Sequence, residues 1–280
     1  MKKKLCLLLA VVMLLALLAG CGQAETQLVK CARATSKVQT FRIAPEVNME
    51  MNISILGQEQ NLTVTLTGDG DVQLKPFEMS FNLHSDSEEI PMDMQMEIKK
   101  TDTGVMIRNS MDGGNTWTES EKKVDWSQSK FKLDAKTLLG IAQSAKELEM
   151  IGTKEIRGSE ATGYGYTITG DVIADSITDE IPVSGTDITI SPELFRGTPG
   201  VKLAIWIDNK TNYITCVEAD MSETMSSVMS EFVKNYLVTI LQEQMGDQLS
   251  MLDALGINIE EMLELNIPTF TMSVEAYDYQ

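Results

Sequence analysis

Apolar and polar side chains alternate with a period of two along much of this chain. Val47, Met49, Met51, Ile53 and Ile55 are interleaved with Asn48, Glu50, Asn52 and Ser54. Leu62, Val64 and Leu66 repeat the pattern, as do Phe77, Met79, Phe81 and Leu83, and then Met92, Met94, Met96 and Ile98. Successive side chains of a strand point to opposite faces, so each run predicts a strand with one apolar and one wet face. Turn residues punctuate the runs at Gly57-Gln58-Glu59-Gln60 and at Gly68-Asp69-Gly70-Asp71. Asp112-Gly113-Gly114-Asn115 forms a hairpin turn between a fifth strand, Val105 to Ile107, and Thr116-Trp117-Thr118. The pattern predicts a meander of antiparallel strands.

Helical spacing interrupts this pattern in a few places. Leu28, Cys31, Ala32 and Thr35 fall at i, i+3, i+4 and i+7, a short amphipathic helix. Asp134 is a good N-cap for a helix carrying Leu138, Ile141, Ala142, Ala145 and Leu148. Strands resume at Thr153 to Arg157 and Tyr164 to Thr169. Asp171 to Gly200, with Pro182, Pro192 and Pro199, reads as a short helix plus irregular loops. Val201 to Asp208 and Tyr213 to Met221 are paired strands about an Asn209–Asn212 turn. A long amphipathic helix follows from Ser222 to about Met245, with Met225, Val228, Met229, Phe232, Tyr236 and Ile240 on its apolar stripe. A second helix is predicted at Ile259 to Leu265, and a closing strand carries Phe270, Met272, Val274 and Ala276.

The chain opens differently. Lys2 to Lys4 precede an apolar run, Leu5 to Ala19, that ends in Leu18-Ala19-Gly20-Cys21. That order is the n-region, h-region and cleavage site of a secretory signal, and the run is too short to span a bilayer comfortably. A cysteine straight after Leu-Ala-Gly makes it a lipobox. Cys21 is then the first mature residue, and its thiol takes a diacylglycerol. The expected organisation is a lipoprotein signal peptide over 1–20, a lipidated cysteine, tether and short helix over 21–36, and one domain over 37–280.

Charge and chemistry narrow the function more than they name it. Without Lys2 to Lys4 the mature chain has 20 basic and 41 acidic residues, a formal charge of −21. So acidic a surface repels nucleic acid and anionic head groups, so attachment to the membrane is expected through lipid alone. Cys31 and Cys216 remain in an exported, oxidising setting. They can pair as a disulfide or stand as two buried thiols. The single histidine, His84, lies in a predicted polar loop, and no Cys/His spacing suits zinc. There is no G-x-S-x-G elbow, phosphate-cradling glycine loop or H-E-x-x-H. Asp69-Gly70-Asp71 lacks the rest of a calcium loop, and no two acids stand in a glycosidase frame. No catalytic residue, cofactor or metal is expected.

Three stretches carry a resemblance: the Met-rich first strands with Leu56-Gly57-Gln58, the hairpin Asp112 to Trp117, and Ile205-Trp206-Ile207-Asp208-Asn209-Lys210-Thr211. With the order lipobox, short helix, meander, helix, hairpin and strand, they resemble the lipoprotein-carrier fold of LolA and the LppX-like lipoproteins. The sequence is also similar to uncharacterised lipoproteins of Gram-positive bacteria. The chain departs from that pattern around Val105 to Arg108, where the hairpin tyrosine is missing, and in the long Ser222 to Leu265 segment. The resemblance implies an α+β, mostly β fold: a strongly curved antiparallel sheet, or half-barrel, with helices covering its concave face. It also implies a hydrophobic ligand, such as a lipid, glycolipid or acylated molecule, held between sheet and helices.

The mature chain's 16 methionines agree with this independently. Methionine is flexible and polarisable, and it lines adaptable apolar surfaces as readily as it fills a core. Phe81, Met94, Met96, Met229 and Phe232 are the expected lining. The alternative is an envelope scaffold with a filled core that binds an unidentified protein partner through its acidic outer face. An unrecognised carboxylate hydrolase ranks below both.

Overall fold

The computed structural model describes residues 25–55, 58–85, 87, 91–123, 148–176, 181–182, 189–232 and 263–280. Helix α1, Glu25–Thr35, leads into the sixteen-residue strand β1, Thr40–Ile55. Next come β2 (Gln58–Thr67), β3 (Gly70–Leu74), β4 (Phe77–Ser85), β5 (Asp93–Lys100), β6 (Gly104–Ser110) and β7 (Thr118–Lys123). The second half holds β8 (Glu149–Ile156), β9 (Ser159–Ile168), the short helix α2 (Gly170–Ser176), and the two-residue pair β10 (Ile181–Pro182) and β11 (Thr189–Ile190). A 3₁₀ turn (Pro192–Phe195), β12 (Val201–Asp208), β13 (Ile214–Asp220), helix α3 over 222–232 and β14 (Leu263–Tyr277) complete it.

Twelve strands form one antiparallel sheet in the order β7-β6-β5-β4-β2-β1-β14-β13-β12-β9-β8, with β3 paired to β1 and β4. Strands β1 to β7 make one half and β8, β9, β12 and β13 the other, while β10 and β11 form a separate two-stranded pair. β14 lies between them, pairing Met272 with Val47 of β1 and with Ala219 of β13. The fold is mostly β, a curved sheet forming a partial barrel, with α1 and α3 on one face. Cys31 of α1 and Met225 of α3 enter the same buried cluster as Val47, Phe81, Leu203 and Phe270 of the sheet. We call this side the helix-covered face and the other the open face.

Most alternating runs become the strands they predict, and three places differ. Gly68-Asp69 does not reverse the chain. β2 and β3 run in the same sense along β1, pairing with Glu46–Ile55 and Thr40–Ile43, so they are one strand with a break. A Cβ on Gly68 would lie 1.9 Å from the carbonyl oxygen of Asn82, so only glycine lets β4 approach there. His84 lies within β4, paired with Thr67 and Asp93, rather than in a loop. Leu263 to Leu265 belong to β14, paired with Ile55 to Ile53, rather than to a helix. The helix predicted at Asp134 to Leu148 lies outside the described residues up to residue 147. So do residues 233–245 of the long helix and 259–262 of the segment after it.

Polar side chains fasten α1 to the sheet. Tyr164 Oη donates to Gln27 Oε1 at 2.5 Å, Gln27 Nε2 donates to Asn209 Oδ1 at 3.1 Å, and Thr162 Oγ1 donates to the same oxygen at 2.7 Å. The chain's last residues are held nearby. Tyr279 stacks between Phe41 and Tyr213, with centroids 5.3 and 4.4 Å away, and donates to the Ile214 carbonyl.

Candidate functional site

The helix-covered face is assembled from every second residue of adjacent strands. On β4 these are Met79, Phe81 and Leu83, opposite Ile98, Met96 and Met94 of β5. On β14 they are Phe270 and Met272, opposite Met49 and Val47 of β1. Met221 and Met225, at the start of α3, close over them. Six methionines are buried in this one cluster: Met79, Met94, Met96, Met221, Met225 and Met272. Five more, Met49, Met51, Met92, Met111 and Met229, pack against it partly buried. Fully burying a side chain of this size stabilises the fold by about 1.5–3 kcal/mol.

The structure places four of the five expected lining residues in this cluster. Phe81 and Met96 are direct register partners, Met94 is the next inward residue on β5, and Met229 packs from α3. Phe232 is buried three residues further along α3. Phe81, Met94 and Met96 are only 4, 3 and 2% exposed, so the layer between sheet and helices is closed there.

Sequence reasoning missed the open face. A groove of about 1190 Å³ crosses six strands from β1 to β8, floored by the small residues Gly165, Ala204, Thr271 and Ser273. Glu46, Lys202, Glu218 and Asp220 give it a charged rim, and Leu148 and Ile151 an apolar end. A second groove of about 510 Å³ lies among Arg42, Asp71, Glu78, Lys99 and Asp278. Neither is lined by any of the five expected residues. The signal was the polar half of each alternating run, which reads simply as a wet face.

Cys31 and Cys216 are free, buried thiols on opposite sides of the sheet. Cys31 belongs to the methionine-rich cluster, and Cys216 packs with Trp206, Ile156 and Ala161 on the open face. Burial pushes both thiols up to about 12. Above Cys216, Trp206 Nε1 donates to Glu218 Oε2 at 2.7 Å, while the Lys154 ammonium pairs with Glu218 and lies 4.2 Å from the indole centroid.

Two motifs prominent in the sequence prove to be turns built around an aspartate. The Asp208 carboxylate accepts from the Lys210 and Thr211 backbone N–H groups and from Thr211 Oγ1, at 2.6–2.9 Å. Asp112 accepts from Ser110 Oγ, from Thr116 N–H and from Thr116 Oγ1, at 2.5–2.8 Å. Trp117 Nε1 closes that loop on the Gly114 carbonyl, with Arg108 stacked 4.8 Å from its ring. These residues shape backbone and offer no reactive group. Among the described residues no cluster of His, Cys, Asp or Glu could hold a metal ion, and no helix is long and apolar enough to cross a membrane.

No protein-family model and no curated protein matches this chain. Solved structures similar to it include the Mycobacterium tuberculosis lipoprotein LppX, at 10% identity and TM-score 0.42, covering 91% of this chain and 93% of that one. LprF from Mycobacterium bovis is 12% identical with TM-score 0.42, covering 93% and 94%. A LolA superfamily protein from Nitrosomonas europaea is 8% identical with TM-score 0.18, covering 70% of each chain.

Proposed function

We propose that this chain is a bacterial lipoprotein, anchored outside the cytoplasm through a lipidated Cys21, that binds a hydrophobic ligand without catalysis. The ligand is a lipid, a glycolipid or another acylated molecule, and it enters between the sheet and its helices. The observation that carries this reading is the concentration of eleven methionines in one sheet–helix layer. Unbranched thioether side chains change rotamer with little steric cost, so such a layer can part and repack around an acyl chain. Each buried CH₂ of that chain contributes about 0.8 kcal/mol, and no reactive group is needed. Phe81, Met94, Met96, Met229 and Phe232 are the side chains proposed to contact it.

Native mass spectrometry of the chain from Gly22 onward, gently purified, tests this reading. The expected result is a bound mass that extracts into organic solvent. A bare polypeptide mass, unchanged after incubation with bacterial lipid extract, overturns it. The tight burial of Phe81, Met94 and Met96 favours a second reading, an envelope scaffold with a permanently filled core, and that bare mass would support it.

A further inference from the structure

Helix α1 has two faces of opposite character. Leu28, Cys31 and Ala32 turn toward the sheet and are buried or partly so. Lys30, Arg33 and Lys37, at i, i+3 and i+7, form an exposed stripe along the other side. Lys75, on the turn between β3 and β4, extends the stripe: its ammonium donates to the Ser36 carbonyl at 3.1 Å, beside Lys37. None of these four cations takes part in an ion pair among the described residues. Lys210 lies near the other end of the helix, next to Asn209, which Gln27 contacts. Asp208, which accepts from the Lys210 backbone N–H, and Glu160, which accepts from Asn209 Nδ2, are acidic neighbours at that end, so Lys210 is left out of the stripe.

We infer that this basic stripe is a docking surface for the anionic head groups of the membrane that anchors the chain. The inference rests on the lipid-anchor reading of Cys21. Three residues lie between Cys21 and Glu25, where α1 begins, so four residue-to-residue steps span at most about 14 Å when extended. The anchor therefore holds α1, and no distant part of the molecule, against the bilayer. Lys30 and Arg33 on α1, Lys37 just past its end and Lys75 on the neighbouring turn together match the lower end of the clusters of four to eight Lys and Arg that bind anionic lipid surfaces. The net charge of −21 does not oppose this docking. At physiological ionic strength charges are screened beyond about 8 Å. β1 alone, with sixteen residues, is about 53 Å long, so most of the acidic surface lies out of electrostatic reach. The repulsion expected from net charge treats as uniform a surface whose exposed cations gather along the outer side and far end of the tethered helix.

Every strand pairing described lies within residues 40–277, so the chain from Gly22 retains the whole sheet and α1 while lacking the anchor. Its cosedimentation with vesicles reads the surface alone. At about 0.1 M salt we expect roughly tenfold greater partition onto phosphatidylcholine vesicles containing about one-third phosphatidylglycerol than onto pure phosphatidylcholine, a gain that disappears at high salt. The variant K30Q/R33Q/K37Q is expected to lose most of that gain, and K202Q, which removes an open-face cation, to keep it. If the triple variant does not fold, K37Q/K75Q, outside the helix proper, tests the same patch. Equal partition onto both vesicle types, or binding that survives loss of the stripe, overturns the inference. The anchor reading is judged separately, by the mass of Cys21 in protein extracted from membranes, and either result can fail without the other.

Discussion

Asp208 is 7% exposed, and at least three hydrogen bonds converge on its carboxylate from the turn that follows β12. Burial alone would raise its pKa, but the bonds from Ser159, Thr211 and Lys210 together outweigh it and hold the carboxyl below its ordinary value. Asp112, in the other aspartate-capped turn, is drawn down to about 2, chiefly by the Thr116 hydroxyl. A carboxylate with a depressed folded-state pKa stabilises the fold above its unfolded value, near 4, and loses that contribution as pH falls toward 2. Asp208→Ala is expected to lower stability by about 1–3 kcal/mol at pH 7, read from the denaturant midpoint. The difference from the parent should shrink as pH falls below the ordinary carboxylate range, and a difference independent of pH would refute the charge-based account. The thiols act in the opposite sense. Cys31 and Cys216 have pKa values raised to about 12, so their contribution is complete below pH 9 and is lost between 9 and 12. The chain from Gly22 should expose no thiol to a maleimide at pH 7.5 while native and two once unfolded. A count of zero after unfolding would show the disulfide instead.

At the scale of the element, the break between β2 and β3 shows where sequence reading stops. Alternation revealed the strands because a half-buried strand must separate its apolar and polar sides, and it placed Phe81, Met94 and Met96 on one face correctly for the same reason. It could not tell a reversal from a break, because Gly68-Asp69-Gly70 suits both. The deciding fact is a contact with β4: Asp69 N–H donates to Asn82 Oδ1 at 2.8 Å, and Asn82 N–H donates to the Asp69 carbonyl at 2.9 Å. The open-face groove was hidden for a similar reason, since Gly165, Ala204 and Thr271 come from three strands that only tertiary pairing brings together. Gly68→Ala is expected to cost more than about 2 kcal/mol, because the new methyl meets backbone that cannot step aside. Asp69→Ala, which keeps the backbone bonds and loses only a 3.8 Å exposed pair with Arg42, should cost less than about 1 kcal/mol. Urea titrations of the two variants would rank them, and a reversed ranking would show that the close approach to Asn82 is relaxed in solution.

At the scale of the molecule, β14 is what makes one sheet out of two. Strands β1 to β7 pair among themselves, as do β8, β9, β12 and β13, and within the described sheet the two sets meet only through β14. Its fifteen residues are also the last strand of the chain, so β1 waits for a partner more than two hundred residues away. Such non-local pairing folds slowly, because loop closure precedes any reward. Until it happens, β1 and β13 are open edges with apolar inward faces, a template for pairing between chains. A chain ending at residue 262 should therefore lose amide protection in both β1 and β13, even though neither strand is altered, and should self-associate. A synthetic peptide of residues 263–280, added in trans, should restore protection to both strands together, since strand addition at an edge supplies the same backbone hydrogen bonds. Hydrogen exchange read by mass spectrometry separates the outcomes. Joint recovery of β1 and β13 marks β14 as the zipper between the halves. Undiminished protection in the truncated chain would mean that the halves are joined by something other than this strand.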